Sequence, residues 1–155
     1  MVELYKPSRE DLWFRRELLA DDETMSYNAA WGGAVQFPEE DWDGWYGWWL
    51  ADHGGKRFYR YLVDAESGEY VGEVAYHYDE SELLFLADVI VFAPMRGRGY
   101  GREGLRLLCQ AAKDNGVRVL WDTIARDNPA IGMFLKAGFV VDHTTDEAIY
   151  LRKDL

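Results

Sequence analysis

Residues 84 to 108 hold the feature that most constrains the fold: an apolar run, a loop of glycine and arginine, and the opening of a helix. The run Leu84-Phe85-Leu86-Ala87-Asp88-Val89-Ile90-Val91-Phe92 is rich in β-branched and aromatic residues and reads as a buried strand, ended by Ala93-Pro94. Arg96-Gly97-Arg98-Gly99-Tyr100-Gly101 comes next, after which Leu105, Leu108, Cys109 and Ala112 recur on one helical face. A strand that feeds a glycine-rich loop into a helix aims several backbone N–H groups, and the positive helix end, at one point in space. Such a point binds phosphate. The glycines let the backbone approach closely, and Arg96 and Arg98 add fixed positive charge.

Two phosphate compounds compete. Gly99-Tyr100-Gly101-Arg102-Glu103-Gly104 spells G-x-G-x-x-G, and an acidic residue, Asp122, follows about 20 residues on, as a dinucleotide site requires. That fold needs two βαβαβ halves, however, and only about fifty residues remain after the loop. The strands before the loop also read as antiparallel rather than alternating with helices.

The other compound is coenzyme A. Arg96-Gly97-Arg98-Gly99-Tyr100-Gly101 resembles the Arg/Gln-x-x-Gly-x-Gly/Ala signature of the GNAT superfamily of N-acetyltransferases. Downstream, Asp127-Asn128-Pro129-Ala130-Ile131-Gly132-Met133-Phe134-Leu135-Lys136-Ala137-Gly138-Phe139 is similar to that family's Asn-x-x-Ala-Ile-x-x-Tyr-x-x-x-Gly-Phe segment. Val91 stands where the family has its last strand valine, and the resemblance spans residues 84 to 140. It implies an α/β fold with a mixed, mostly antiparallel central sheet, helices on both faces and two splayed parallel central strands. It also implies acetyl-CoA as cosubstrate, its pyrophosphate on Arg96, Gly97, Arg98, Gly99, Tyr100 and Gly101. The pantetheine arm would lie between strands 84–92 and 117–124, against backbone groups of Val91 and Phe92. Phe134 falls at the family's tyrosine position, where it has no proton to give but can pack on the coenzyme. The family's asparagine falls on Asp127, with Asn128 one residue late as a second candidate for coenzyme binding.

Composition agrees with a single domain over residues 1–155, long enough to bury about two-thirds of its unfolded surface. No apolar stretch reaches membrane-spanning length, and Met1-Val2-Glu3-Leu4-Tyr5 lacks the basic-then-apolar order of a signal peptide, so a cytoplasmic protein is expected. The one cysteine, Cys109, cannot form an internal disulfide and lies on an apolar helical face, where packing is its expected role. A net charge of −11 argues against nucleic acid and favours a cationic partner, though solubility alone would also account for it. No metal site is expected, and a homodimer is left open.

The remaining pattern gives the order β-α-α-β-β-β-α-β-α-β-β. Residues 2 to 6 form a first strand, Ser8-Arg9-Glu10-Asp11 opens a helix through Ala20, and 21 to 36 read as a long loop. Pro38 starts a second helix closed by Gly54-Gly55. Strands at 57 to 64, 70 to 78 and 83 to 92 form a meander, and the helix after the loop ends at Asn115-Gly116. Strand 117 to 124, helix 129 to 137 and strands 139 to 142 and 147 to 152 complete the chain.

Amine acetylation needs a group that removes a proton from an ammonium ion, a donor for the tetrahedral oxyanion and, at best, an acid for the departing thiolate. Asp122, inside the apolar segment Leu120-Trp121-Asp122-Thr123-Ile124, is the first candidate base, because desolvation raises a carboxyl pKa. Asp88 is its rival, and Glu73 and His77 are outside candidates. Trp42, Trp45, Tyr46 and Trp49 recur at helical spacing, with acidic residues from Glu39 to Asp52 around them, and packing on the sheet accounts for that stripe. Trp48, off the stripe, and Trp31, flanked by glycine, are the candidates to line an acceptor pocket, where rings and carboxylates suit an ammonium group. The resulting expectation is transfer of an acetyl group from acetyl-CoA to a primary amine on a small cationic metabolite. A protein lysine or N-terminus is the second acceptor class, and a non-catalytic acyl-CoA sensor is the rival from another class.

Overall fold

Alternation along the strands decides which helices cover which face of the sheet. The computed structural model describes residues 1–51 and 54–155, the side chains of residues 29–31 excepted. Seven strands, β1 (Val2–Tyr5), β2 (Arg57–Asp64), β3 (Tyr70–Asp79), β4 (Leu84–Val91), β5 (Val119–Ala125), β6 (Val140–Thr144) and β7 (Ala148–Asp154), form one sheet in the order β1-β2-β3-β4-β5-β7-β6. Every pairing is antiparallel except β4 with β5. The helices are α1 (Leu12–Ala20), α2 (Asp22–Met25), α3 (Trp42–Leu50), α4 (Tyr100–Asp114) and α5 (Ile131–Lys136). None of the helices among the described residues is long and apolar enough to cross a membrane.

Val74 and Tyr76 of β3 pack in one core with Leu105, Leu108 and Ala112 of α4 and Phe134 of α5. Ala75, one step out of phase, packs in a second core with Leu12, Phe14 and Leu18 of α1 and Trp42 and Leu50 of α3. The sheet is thus covered on both faces, as the resemblance implied. Leu12, Leu18, Leu105 and Leu108 are wholly buried, each contributing ~1.5–3 kcal/mol through the apolar area removed from water. Cys109 is buried in the α4 core, where desolvation raises its thiol pKa.

The stretch 21 to 36, expected to be a loop, contains α2 and a 3-10 segment from Ser26 to Trp31. The reason is local capping: the Asp21 carboxylate accepts from the Thr24 N–H at 3.0 Å. The segment is then fastened to the start of the phosphate loop. The Ala93 N–H donates to Thr24 Oγ1 at 2.9 Å, and Arg96 donates to the carbonyls of Glu23 and Thr24 at 3.1 and 2.6 Å.

Candidate active site

The two parallel strands pair at one point only, Leu86 with Trp121, and diverge beyond it. Phe92 donates its N–H to the Val71 carbonyl at 2.9 Å, so alternation turns the backbone groups of Val91 and Val89 away from β3 and into the fork. Val91 therefore turns its backbone groups into the fork, whereas Phe92 does not. Its N–H belongs to the β3 ladder, its carbonyl accepts from Met95, and its ring packs on Phe14.

At the open end of the fork stands the N-terminus of α4. Gly99 precedes it with φ of +86°, the left-handed conformation that glycine alone adopts at little cost. The first hydrogen bond there runs from the Glu103 N–H to the Gly99 carbonyl, which leaves the N–H groups of Tyr100, Gly101 and Arg102 for an anion. A Cβ on Gly101 would come within 3.1 Å of the Met133 sulfur and 3.3 Å of a Val91 methyl, so the helix end, the fork and α5 close tightly together. Gly97, Gly99, Gly101 and Arg102 all line the cavity here. This cradle of glycines and unpaired N–H groups fits the pyrophosphate of acetyl-CoA.

The arginines divide differently from the sequence expectation. Arg96, though it borders the cavity, spends its guanidinium on the α2 carbonyls and lays it 4.1 Å over the Tyr27 ring. Arg98 is exposed and outside the cavity wall, while Arg102, which the sequence reading passed over, lines it. The signal was present: position 102 falls in the first turn of a helix whose end was already read as the anion site. Tyr100 contributes backbone only, since its ring is buried and its hydroxyl donates to Asp64. Asn128 lines the cavity and accepts the Ala130 N–H on its side-chain oxygen at 2.8 Å, which leaves its amide NH₂ as a donor. Phe134 is buried, packs edge-on against Phe139 and borders the same end.

A continuous cavity of about 680 Å³ runs from this cradle past the fork to the α1/α3 face of the sheet. There its walls are Trp45 and Trp49 of α3, Tyr59 of β2, Arg15 of α1, and Glu73 and His77 of β3. Arg15 lies 4.2 Å over Trp45 and 4.7 Å over Phe37, and its Nε is 3.8 Å from a Glu73 carboxylate oxygen. Trp49 meets His77 edge-on at 5.8 Å, and burial lowers the His77 pKa, which keeps that ring neutral. The ring stripe of α3 thus both packs and lines the chamber, because the chamber lies between that face and the sheet. Trp48, off the stripe, points elsewhere: it is 58% exposed, carries the Arg57 guanidinium at 3.9 Å and does not border the cavity. The Trp31 side chain and Asp52 lie outside the described residues.

Asp88 and Asp122 both border the cavity, near the apex of the fork but on opposite sides of the sheet. Asp88 alternates with Ile90 on the α1/α3 face, and Asp122 with Leu120 and Ile124 on the α4/α5 face. Asp88 is reached by solvent through the cavity yet is walled round by protein. Burial, reinforced by the Glu73 carboxylate and opposed by Arg15 and the Val89 N–H, pushes its pKa up to about 6. Asp122 is held well above the ordinary carboxylate range, first by burial and then by the like charge of Asp88, although the Thr123 N–H donates to its Oδ1 at 2.8 Å.

Residues 11–139 match the sequence profile of the acetyltransferase (GNAT) family. No curated protein matches the chain by sequence. Among solved structures, a phosphinothricin acetyltransferase from Sinorhizobium meliloti, in complex with acetyl-CoA, superposes with a TM-score of 0.78 at 16% identity, covering 99% of this chain and 88% of its own. A spermidine N-acetyltransferase from Vibrio cholerae, in complex with CoA and spermine, gives 0.77 at 17% identity, with 99% and 95% covered. A ribosomal-protein-alanine N-acetyltransferase from Brucella melitensis gives 0.71 at 20% identity, with 100% and 99% covered.

Proposed function

The chain belongs to the acetyltransferase (GNAT) family, and on that premise we propose that it moves the acetyl group of acetyl-CoA onto the primary amine of a small cationic metabolite, with Asp88 as the proton acceptor. The three related structures are described by three different acceptors, so their common fold does not choose among them. The choice is argued from the chamber. Trp45, Trp49 and Tyr59 offer ring faces, and the carboxylates of Glu73 and Asp88 meet one guanidinium, Arg15, so an ammonium ion supplies the missing positive charge. A concave chamber lined by aromatic rings suits a small molecule.

The observation that carries the reading is the alternation on β4. It sets Asp88 on the chamber side, where the amine would enter, and sets the N–H group of Val91 in the fork, where a thioester carbonyl would lie. A carboxyl group with a pKa of about 6 takes a proton from an ammonium ion near neutrality and gives it up readily afterwards. A backbone N–H aimed at the developing oxyanion lowers the barrier without reorganising. Asp122, the first candidate from sequence, lies on the other face of the sheet and is the weaker candidate for that base.

The test is a panel of amines (spermidine, 2-phenylethylamine, glucosamine and an alanine-terminated peptide) with acetyl-CoA, following release of free thiol. Turnover with a small amine is expected, and Asp88→Asn should lower kcat by on the order of 10² while acetyl-CoA affinity holds. The acidic limb of the pH–rate profile should flatten in that variant. Turnover with the peptide alone would move the acceptor to a polypeptide N-terminus.

A further inference from the structure

Beyond Leu86 and Trp121 the two strands of the fork no longer pair with each other, and each carries an aspartate within two residues of that point. The Thr123 N–H donates to Asp122 Oδ1 at 2.8 Å, and the Val89 N–H stabilises the Asp88 carboxylate. Two carboxyl groups therefore border one cavity from opposite faces of the sheet. Asp88 looks into the amine chamber. Asp122 shares its face with the residues at the coenzyme end.

The thiolate that leaves an alkyl thioester is basic, with a conjugate pKa of about 8.5, so a nearby acid aids its departure at neutral pH. Few cavity-lining groups at that end can supply the proton. The Tyr100 hydroxyl is committed to Asp64, Phe134 has none to give, Thr123 alternates onto the opposite face of β5, and the Tyr27 ring lies under the Arg96 guanidinium at the phosphate loop. We propose that Asp122 enters the reaction as a neutral acid and protonates the departing coenzyme sulfur, the proton donor that complements Asp88; this rests on the amine-acetylation reading above.

The proton count closes. Asp88 removes one proton from the ammonium ion, and the free amine forms the new C–N bond. As the C–S bond breaks, Asp122 gives its proton to sulfur. The second nitrogen proton then returns to Asp122, so the acid is regenerated, and Asp88 releases the first to water. The surroundings favour the neutral form of Asp122: β7 sets Leu151 opposite it, α5 brings Met133 and Phe134 to the same end of the cavity, and the charge that bears on it is the Asp88 carboxylate. Glu73 and Arg15 bear on Asp88 instead.

Asp122→Asn keeps an oxygen for the Thr123 N–H while removing the proton, so the fold and acetyl-CoA affinity should hold. Infrared spectra at pH 7 should show a protonated-carboxyl band in the native protein and in Asp88→Asn that is lost in Asp122→Asn. With an amine that turns over in the panel, Asp122→Asn should lower kcat by on the order of 10² and remove the alkaline limb of the pH profile while leaving the acidic limb. A phenol added at the same end, in Asp122→Asn/Phe134→Tyr, should restore part of the lost rate. Absence of the infrared band, or full activity in Asp122→Asn, overturns the proposal while leaving the Asp88 reading intact. Loss of the acidic limb in Asp122→Asn, with Asp88→Asn unaffected, overturns both.

Discussion

Asp88 shows at the residue scale how a site is set against stability. Its folded pKa, about 6, lies above its ordinary value of 3.8, so the folded chain binds that proton more tightly than the unfolded chain does. Stability from this group is therefore complete below the ordinary value and is lost as pH rises through about 6. Asp88→Asn, neutral throughout, should melt above the native protein at pH 7, and the two should converge near pH 4. The gain is on the order of 1 kcal/mol once the solvent reaching the carboxylate is allowed for. Equal melting temperatures across that range would show that the carboxylate is not under strain. The arginines carry a second residue-scale prediction. Arg102→Ala should weaken acetyl-CoA binding by roughly 1–3 kcal/mol, as a lost charge-assisted contact, and more than Arg98→Ala does. Calorimetry that reverses the order would return the phosphate contact to Arg98. Sequence could say that arginine belongs near this helix end. Which arginine faces the ligand depends on side-chain direction and on competing carbonyls, and Arg96 is taken by two of them.

At the scale of elements, the strand meander, the glycine loop and the order of helices were legible because each rests on local periodicity or a turn signal. The predicted strands at 57–64 and 70–78 fall on β2 and β3 to within a residue. α2 was not legible, since four residues give no period, and its stability comes from Asp21 and from Ala93 and Arg96 at the start of the phosphate loop. That Trp45 and Trp49 line a cavity was not legible for a related reason: a helical stripe says which rings face the sheet, not that a cavity lies between them. Gly72 gives a prediction at this scale. Its Cα lies so near β4 that a Cβ would lie 2.3 Å from the Ile90 carbonyl oxygen and 3.1 Å from the Val91 Cα. Gly72→Ala must therefore push the end of β4 toward the fork. It should cost roughly 1–3 kcal/mol of stability as overpacking does, and acetyl-CoA affinity should fall with it. Denaturant titration beside calorimetry separates the two effects, and an unchanged affinity would mean that Val91 does not contact the coenzyme arm.

At the scale of the whole molecule, the net charge of −11 would act with opposite sign on acetyl-CoA and on the amine proposed above. A cationic amine would be drawn toward the chain from a distance, whereas the phosphates of acetyl-CoA would approach against the same field toward the short-range donors at the start of α4. Raising ionic strength from about 0.01 M to about 0.15 M shortens the Debye length from roughly 30 to 8 Å, which removes the long-range part and leaves the contacts. The kcat/KM for the amine should then fall several-fold, while the association rate of acetyl-CoA should rise or stay level. Stopped-flow binding of acetyl-CoA and steady-state kinetics with the accepted amine measure the two separately. A fall for both would locate the salt effect in the pyrophosphate cradle rather than in the field of the molecule. No change for the amine would mean that the acidic surface serves solubility, leaving Glu73 and Asp88 alone to recognise the ammonium group.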